Sequence, residues 1–147
     1  MDIHKFDPND SLATLLNKTT RALSTRLQSL FTHAGFDVTS EQWMILILLW
    51  DEDGRYPCQI ADIIGKDRAA VTRLIDGLEK RNLVVRINDK KDRRQKQIYL
   101  TPQGKTMETN LIPLGLSNIK HAQDGLNNKD LAVCKDVLRK IFKNLTS

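Results

Sequence analysis

Residues 59–104, QIADIIGKDRAAVTRLIDGLEKRNLVVRINDKKDRRQKQIYLTPQG, decide the fold. Ile60, Ala61, Ile63 and Ile64 give a short helix, for which Pro57 suits the first position and Gly65 the end. Asp67 can cap the next helix, whose apolar stripe is Val71, Leu74, Ile75 and Leu78. Asn82 stands where a left-handed residue is expected after a helix, a conformation that asparagine tolerates. Leu83, Val85 and Ile87 then alternate with Val84, Arg86 and Asn88, the period of a strand, and Ile98 and Leu100 flank Tyr99 in a second strand. The polar run from Asp89 to Gln95 lies between them, so the pair forms a β-hairpin with a long basic tip.

Outward from this block the chain is helical. Leu12, Leu15, Leu16, Leu23, Leu27, Leu30 and Phe31 recur at helical spacing, opened by Asp10 or Ser11 as N-cap and stopped by Gly35. Thr39-Ser-Glu-Gln42 makes a capping box for a helix running through Trp50, apolar almost all round and so expected to be buried. Thr101-Pro102 opens a long helix with Met107, Leu111 and Leu114 on one side, which Pro113 can kink. Asn127 or Asn128 caps the last helix, striped by Leu131, Cys134, Leu138, Ile141, Phe142 and Leu145. The expected order is α-α-α-α-β-β-α-α, mainly helical with one small hairpin. Two short helices joined by Gly65-Lys66-Asp67 and followed by a basic hairpin have the outline of a winged helix-turn-helix.

Charge points the same way. The 147 residues carry a net +5, but Lys66 to Lys105 holds twelve Lys and Arg against five Asp and Glu, leaving eleven against thirteen elsewhere. The excess sits in one block of 40 residues, which implies a polyanionic partner for that block. With 40% hydrophobic and 28% charged residues the composition is globular rather than disordered. The longest apolar run, Trp43 to Trp50, is too short for a membrane span. The N-terminus MDIHKFDPND has neither basic flank nor apolar stretch, so no signal peptide and no membrane partner are expected. Two distant cysteines, Cys58 and Cys134, suit a cytoplasmic protein with reduced thiols.

The stripe of the second short helix must face the core, so its opposite face presents Arg68, Ala69, Thr72, Arg73 and Asp76. Small Ala69 and Ala70 allow close approach to a groove wall. Arg68 and Arg73 can reach guanine edges or phosphates, and Thr72 a phosphate or a thymine methyl. Lys66 precedes the helix N-terminus, itself partly positive. The hairpin tip carries Lys90, Lys91, Arg93 and Arg94, with Lys96 just behind. Such a wing touches phosphates or inserts an arginine into the minor groove. Asp92 can pair with Arg94 and shape the loop. An RNA reader would present stacking aromatics, and the only aromatic in the basic block is Tyr99, in a strand. Double-stranded DNA is the expected partner.

Residues 59–104 resemble the MarR (multiple antibiotic resistance regulator) family of bacterial transcription factors. The carrying motifs are Leu78-Glu79-Lys80-Arg81-Asn82-Leu83-Val84, Asp92-Arg93-Arg94 in the wing and the closing Leu100-Thr101. Asn82 replaces the family's usual glycine. The resemblance implies one MarR-type domain over residues 1–147, with a winged lobe at 35–101 and a helical dimerisation region at 8–34 and 102–147. It implies a homodimer interlocked through its first, fifth and sixth helices on a pseudo-palindromic operator. It further implies a repressor that releases DNA on binding a small, often aromatic, effector or on thiol oxidation.

Other signals are weaker. Asp51-x-Asp53-Gly54 has its glycine at the wrong position for a calcium loop and Arg55 where a ligand belongs, so it is a turn. His4, His33 and His121 lack companions at ligand spacing. Cys58 can sense oxidants if its thiol is exposed at the helix N-terminus it adjoins, whereas Cys134 on its apolar stripe belongs in a core. Trp43 and Trp50 can line a ligand pocket or pack in the core. There is no nucleophile–base pair, phosphate-cradling glycine loop or metal set, so neither an enzyme nor a cofactor is expected.

Overall fold

The computed structural model describes residues 5–147; residues 1–4, His4 among them, lie outside it. The elements run α1 (Leu12–His33), α2 (Ser40–Asp51), α3 (Pro57–Ile64), α4 (Arg68–Lys80), β1 (Val84–Asn88), β2 (Lys96–Leu100), α5 (Pro102–Ala122) and α6 (Asn128–Thr146). The order is the expected one.

Each boundary has a local cause. Side chains of Ser11, Thr39, Asp67, Thr101 and Asn127 accept the N–H three residues on, covering donors that the first turn leaves free. At Thr39 the box is reciprocal, the Gln42 side chain accepting the Thr39 N–H at 3.1 Å. Gly65 ends α3 at φ +70°. Asn82 turns the chain out of α4 at φ +58°, as the only non-glycine with positive φ among the described residues. Pro113 sits inside α5, which continues through it.

The core gathers around α2. Phe31, Ile45, Leu46, Leu49, Ile60, Ile75, Leu78, Ile98 and Leu111 are fully buried, drawing α1, α3, α4, the hairpin and α5 onto one centre. Each such side chain contributes about 1.5–3 kcal/mol through burial. Gly115 lets α5 come close to α2, since a Cβ there would lie 2.4 Å from the Trp43 ring. Between α1 and α5 the buried Asn118 accepts from Arg26 at 2.9 Å and donates to the Leu23 carbonyl at 3.1 Å.

In β1 Val84 is buried and Arg86 turns inward, while Val85 and Ile87 are exposed. The reason is that Arg86 finds carboxylates on α4. Cys134 is exposed rather than core, because α6 buries no residue within the protomer. Likewise the α1 stripe is covered only toward its C-terminus. Leu27 and Phe31 are buried but Leu12 and Leu15 are exposed.

Candidate nucleic-acid interface

The interface is built on α4 and the hairpin. Asp67 Oδ1 accepts the Ala70 N–H at 2.7 Å and sets the start of α4. Val71, Ile75 and Leu78 fix its inner face, which leaves Arg68, Ala69, Thr72 and Arg73 on the exposed ridge, with Ala70 at its edge. Neither Arg68 nor Arg73 turns inward. The Thr72 hydroxyl donates to the Arg68 carbonyl at 2.9 Å, so it meets a ligand as an acceptor or through its methyl. Lys66 is half-buried and its Nζ pairs with Glu41 at 2.8 Å, which ties the turn between α3 and α4 to α2. Its ammonium faces the protein, unlike the two arginines of the ridge.

The hairpin is antiparallel, with Val84 opposite Leu100 and Asn88 opposite Lys96. Residue 55 adds a third edge, the Ile98 N–H donating to the Arg55 carbonyl at 2.8 Å. Asp53 anchors this edge by accepting from Leu100 N at 2.9 Å and Gly54 N at 3.1 Å. The Asp51–Gly54 turn is therefore a fastening for the wing. At the tip, Asp92 Oδ1 accepts both the backbone N–H and the Nε of Arg94, at 3.0 and 3.2 Å. That leaves the Arg94 side chain 92% exposed but held at its base. Lys90, Lys91, Arg93 and Lys96 are exposed around it.

Arg86 is the residue of this surface that the sequence does not single out. Its guanidinium reaches Asp76 at 2.6 Å and Glu79 at 2.9 Å, both on α4. Two effects follow. The base of the wing is fastened to α4, which carries the exposed ridge. The same contact neutralises two carboxylates that would repel a polyanion. Near the base of the loop, desolvation pushes the Tyr56 phenol above its ordinary value, and a hydrogen bond to Asp89 adds to the shift.

A separate cavity of about 430 Å³ opens between α1, α2 and α5, against Trp43. Trp50 does not line it. Its ring stacks edge-on with Trp43 at 5.7 Å, and its indole N–H donates to the Gly104 carbonyl at 2.9 Å, a packing role. Cys58 is exposed at the second position of α3. Among the described residues no three His, Cys, Asp or Glu side chains converge as a metal site, and no helix is long and apolar enough to cross a membrane.

Comparison with known proteins agrees with this geometry. The MarR family model matches residues 38–96, which span α2 through the wing tip. The chain is similar to the solved transcriptional regulator PA3341, with 30% identity and a TM-score of 0.77 over 92% of this chain and 98% of that one. The structure of a MarR family regulator from Listeria monocytogenes complexed with 26mer DNA superposes with a TM-score of 0.82 at 20% identity, over 92% and 89% of the two chains. The HTH-type transcriptional regulator TtmR of Methylorubrum extorquens is 29% identical over 82% of this chain, which spans 56% of that relative's length.

Proposed function

The chain belongs to the MarR family of DNA-binding transcriptional regulators, and from that premise we propose that it is a cytoplasmic homodimeric repressor of a pseudo-palindromic operator, released by a small ligand. In this reading residues 35–101 form the DNA-binding lobe, while residues 8–34 and 102–147 join the two copies. Arg68, Ala69, Ala70, Thr72 and Arg73 enter the major groove, and Arg93, Arg94, Lys90, Lys91 and Lys96 hold the flanking backbone. Lys66 positions the turn through Glu41 and contributes to the field more than to contact. The observation that carries the reading is the Arg86 clamp, which sets a cationic hairpin beside an exposed helical ridge.

Dimerisation is supported by α6, whose exposed Val133, Val137, Leu138, Phe142 and Leu145 find no cover within one protomer. An apolar face of that extent marks an interaction site. The effector reading is supported by the cavity against Trp43, which lies outside the DNA-binding surface and is walled by α2, the helix on which α4 packs. Selection of genomic duplex fragments on the purified protein tests the proposal. Enriched fragments should share two inverted half-sites about 10 base pairs apart, centre to centre. Enrichment without symmetry would refute the dimeric operator, and preference for single-stranded RNA over duplex DNA would refute the partner.

A further inference from the structure

We infer that Gln42 is a positioning residue for DNA recognition, holding the C-terminal end of α4 so that the arginines of that helix meet base edges. The inference rests on the reading of α4 as the recognition helix. Gln42 is buried, although glutamine is mostly an exposed residue. Its side-chain oxygen accepts the Thr39 N–H at 3.1 Å and a guanidinium N–H of Arg81 at 2.6 Å. The first bond closes the capping box, and the start of α2 accounts for it. The second reaches 39 residues along the chain to the residue that ends α4, and capping does not account for it.

The surroundings make this contact a fixed seat. Arg81 also pairs with Asp37 at 3.1 Å, but the Asp37 side chain is 93% exposed and that pair is screened. The charge-assisted bond to buried Gln42 is therefore the one that holds the guanidinium. Gly77, one turn after Arg73 on α4, lies against the same carboxamide. A Cβ there would stand 2.7 Å from Gln42 Nε2, so the missing side chain lets α4 settle onto it. Gln42 is itself held in place. The Gln28 side chain of α1 accepts the Ser40 N–H at 2.9 Å and donates to the Val38 carbonyl at 2.8 Å, which fixes the chain just before Gln42. Ahead of α4, Glu41 holds Lys66. Adjacent residues of α2 thus hold both ends of the helix that bears Arg68 and Arg73. Base contacts depend on where that helix lies, whereas the wing reaches phosphates that every duplex offers. Loosening α4 therefore costs operator binding more than binding to unrelated DNA.

Fluorescence anisotropy over salt concentration, with an operator recovered from genomic fragments and an unrelated duplex, tests this on Gln42→Met, Arg81→Met and Thr39→Val. Circular dichroism first establishes that each variant is folded. Both methionine variants should lower the operator-to-unrelated affinity ratio by at least about fivefold, the smaller worth of one good base contact. Gln42→Met should keep the parental salt slope on unrelated duplex, because no cation is lost. Thr39→Val removes the hydroxyl cap and should lower stability to urea while keeping the parental ratio, since the residue-39 N–H and Arg81 retain their acceptor. A parental ratio in folded Gln42→Met, or in Arg81→Met if Gln42→Met does not fold, overturns the inference and leaves the DNA-binding reading standing. An equal fall in Thr39→Val overturns it too, by assigning the effect to the stability of α2. A parent that does not discriminate between the two duplexes overturns the reading of α4 as well.

Discussion

At the scale of single residues, the turn out of α4 shows how one position carries the fold. Asn82 holds a left-handed conformation, and its carbonyl accepts the Thr101 hydroxyl at 2.7 Å, so the exit from the recognition helix is pinned to the start of α5. A β-branched side chain at such φ costs about 1–2 kcal/mol, whereas glycine is free of that penalty. Asn82→Val should therefore lower stability by about 1–2 kcal/mol and Asn82→Gly by less than about 0.5 kcal/mol in urea unfolding monitored by circular dichroism. Equal effects of the two would show that backbone strain is not what this residue manages. This part of the structure is legible in the sequence, as are the caps at Thr39, Asp67 and Thr101, because donor and acceptor lie within three residues of one another. Ser11 and Asn127 are resolved by the structure from pairs the sequence leaves open. Lys66 is the counterexample. Its sequence position invites a DNA contact, but Glu41, 25 residues away, claims its ammonium.

At the scale of elements, the relation between α4 and β1 matters most, and here the sequence leaves the choice open. Leu83, Val85 and Ile87 alternate with Val84, Arg86 and Asn88, and period-two alternation says only that the two faces differ. Which face turns in is decided by α4. Val84 fills the core, Arg86 meets Asp76 and Glu79, and Val85 and Ile87 are left outside. The Arg86 side chain is 19% exposed, but both carboxylates are about half exposed, so the pairs are partly screened. Arg86→Ala is expected to cost about 1–2 kcal/mol of stability and to weaken DNA binding further, because two freed carboxylates then face the phosphates. Stability by urea unfolding and affinity by fluorescence anisotropy separate the two effects. Unchanged affinity in a folded Arg86→Ala protein would show that the clamp does not orient the wing. The cavity is half legible in the sequence, which offers both Trp43 and Trp50 as pocket residues; its walls come from α1, α2 and α5, and Trp43 lines it while Trp50 braces Trp43.

At the scale of the whole molecule, exposed apolar side chains gather on α6 and the N-terminal part of α1, whereas the net positive charge of the chain comes from the block Lys66–Lys105. Leu16, Leu138, Ile141, Phe142 and Leu145 line a groove between α1 and α6 with Arg139 as its one charged side chain, so an acid buried there in place of Phe142 should disrupt association. Phe142→Glu is expected to shift the protein from dimer to monomer in analytical ultracentrifugation and to abolish tight binding to a two-half-site operator. A Phe142→Glu protein that remained dimeric would place the subunit contact elsewhere.

The central claim is that ridge and wing grip one duplex, the ridge through bases and the wing through phosphates. Affinity for operator and for unrelated duplex, titrated over salt concentration with the parent, Arg73→Ala and Arg94→Ala, tests it most directly. Arg73→Ala should lose about 1–3 kcal/mol on the operator and little on unrelated DNA. Arg94→Ala should weaken both duplexes alike and reduce the slope of log affinity against log salt by about 1. Parental affinity and slope in both variants would contradict the account.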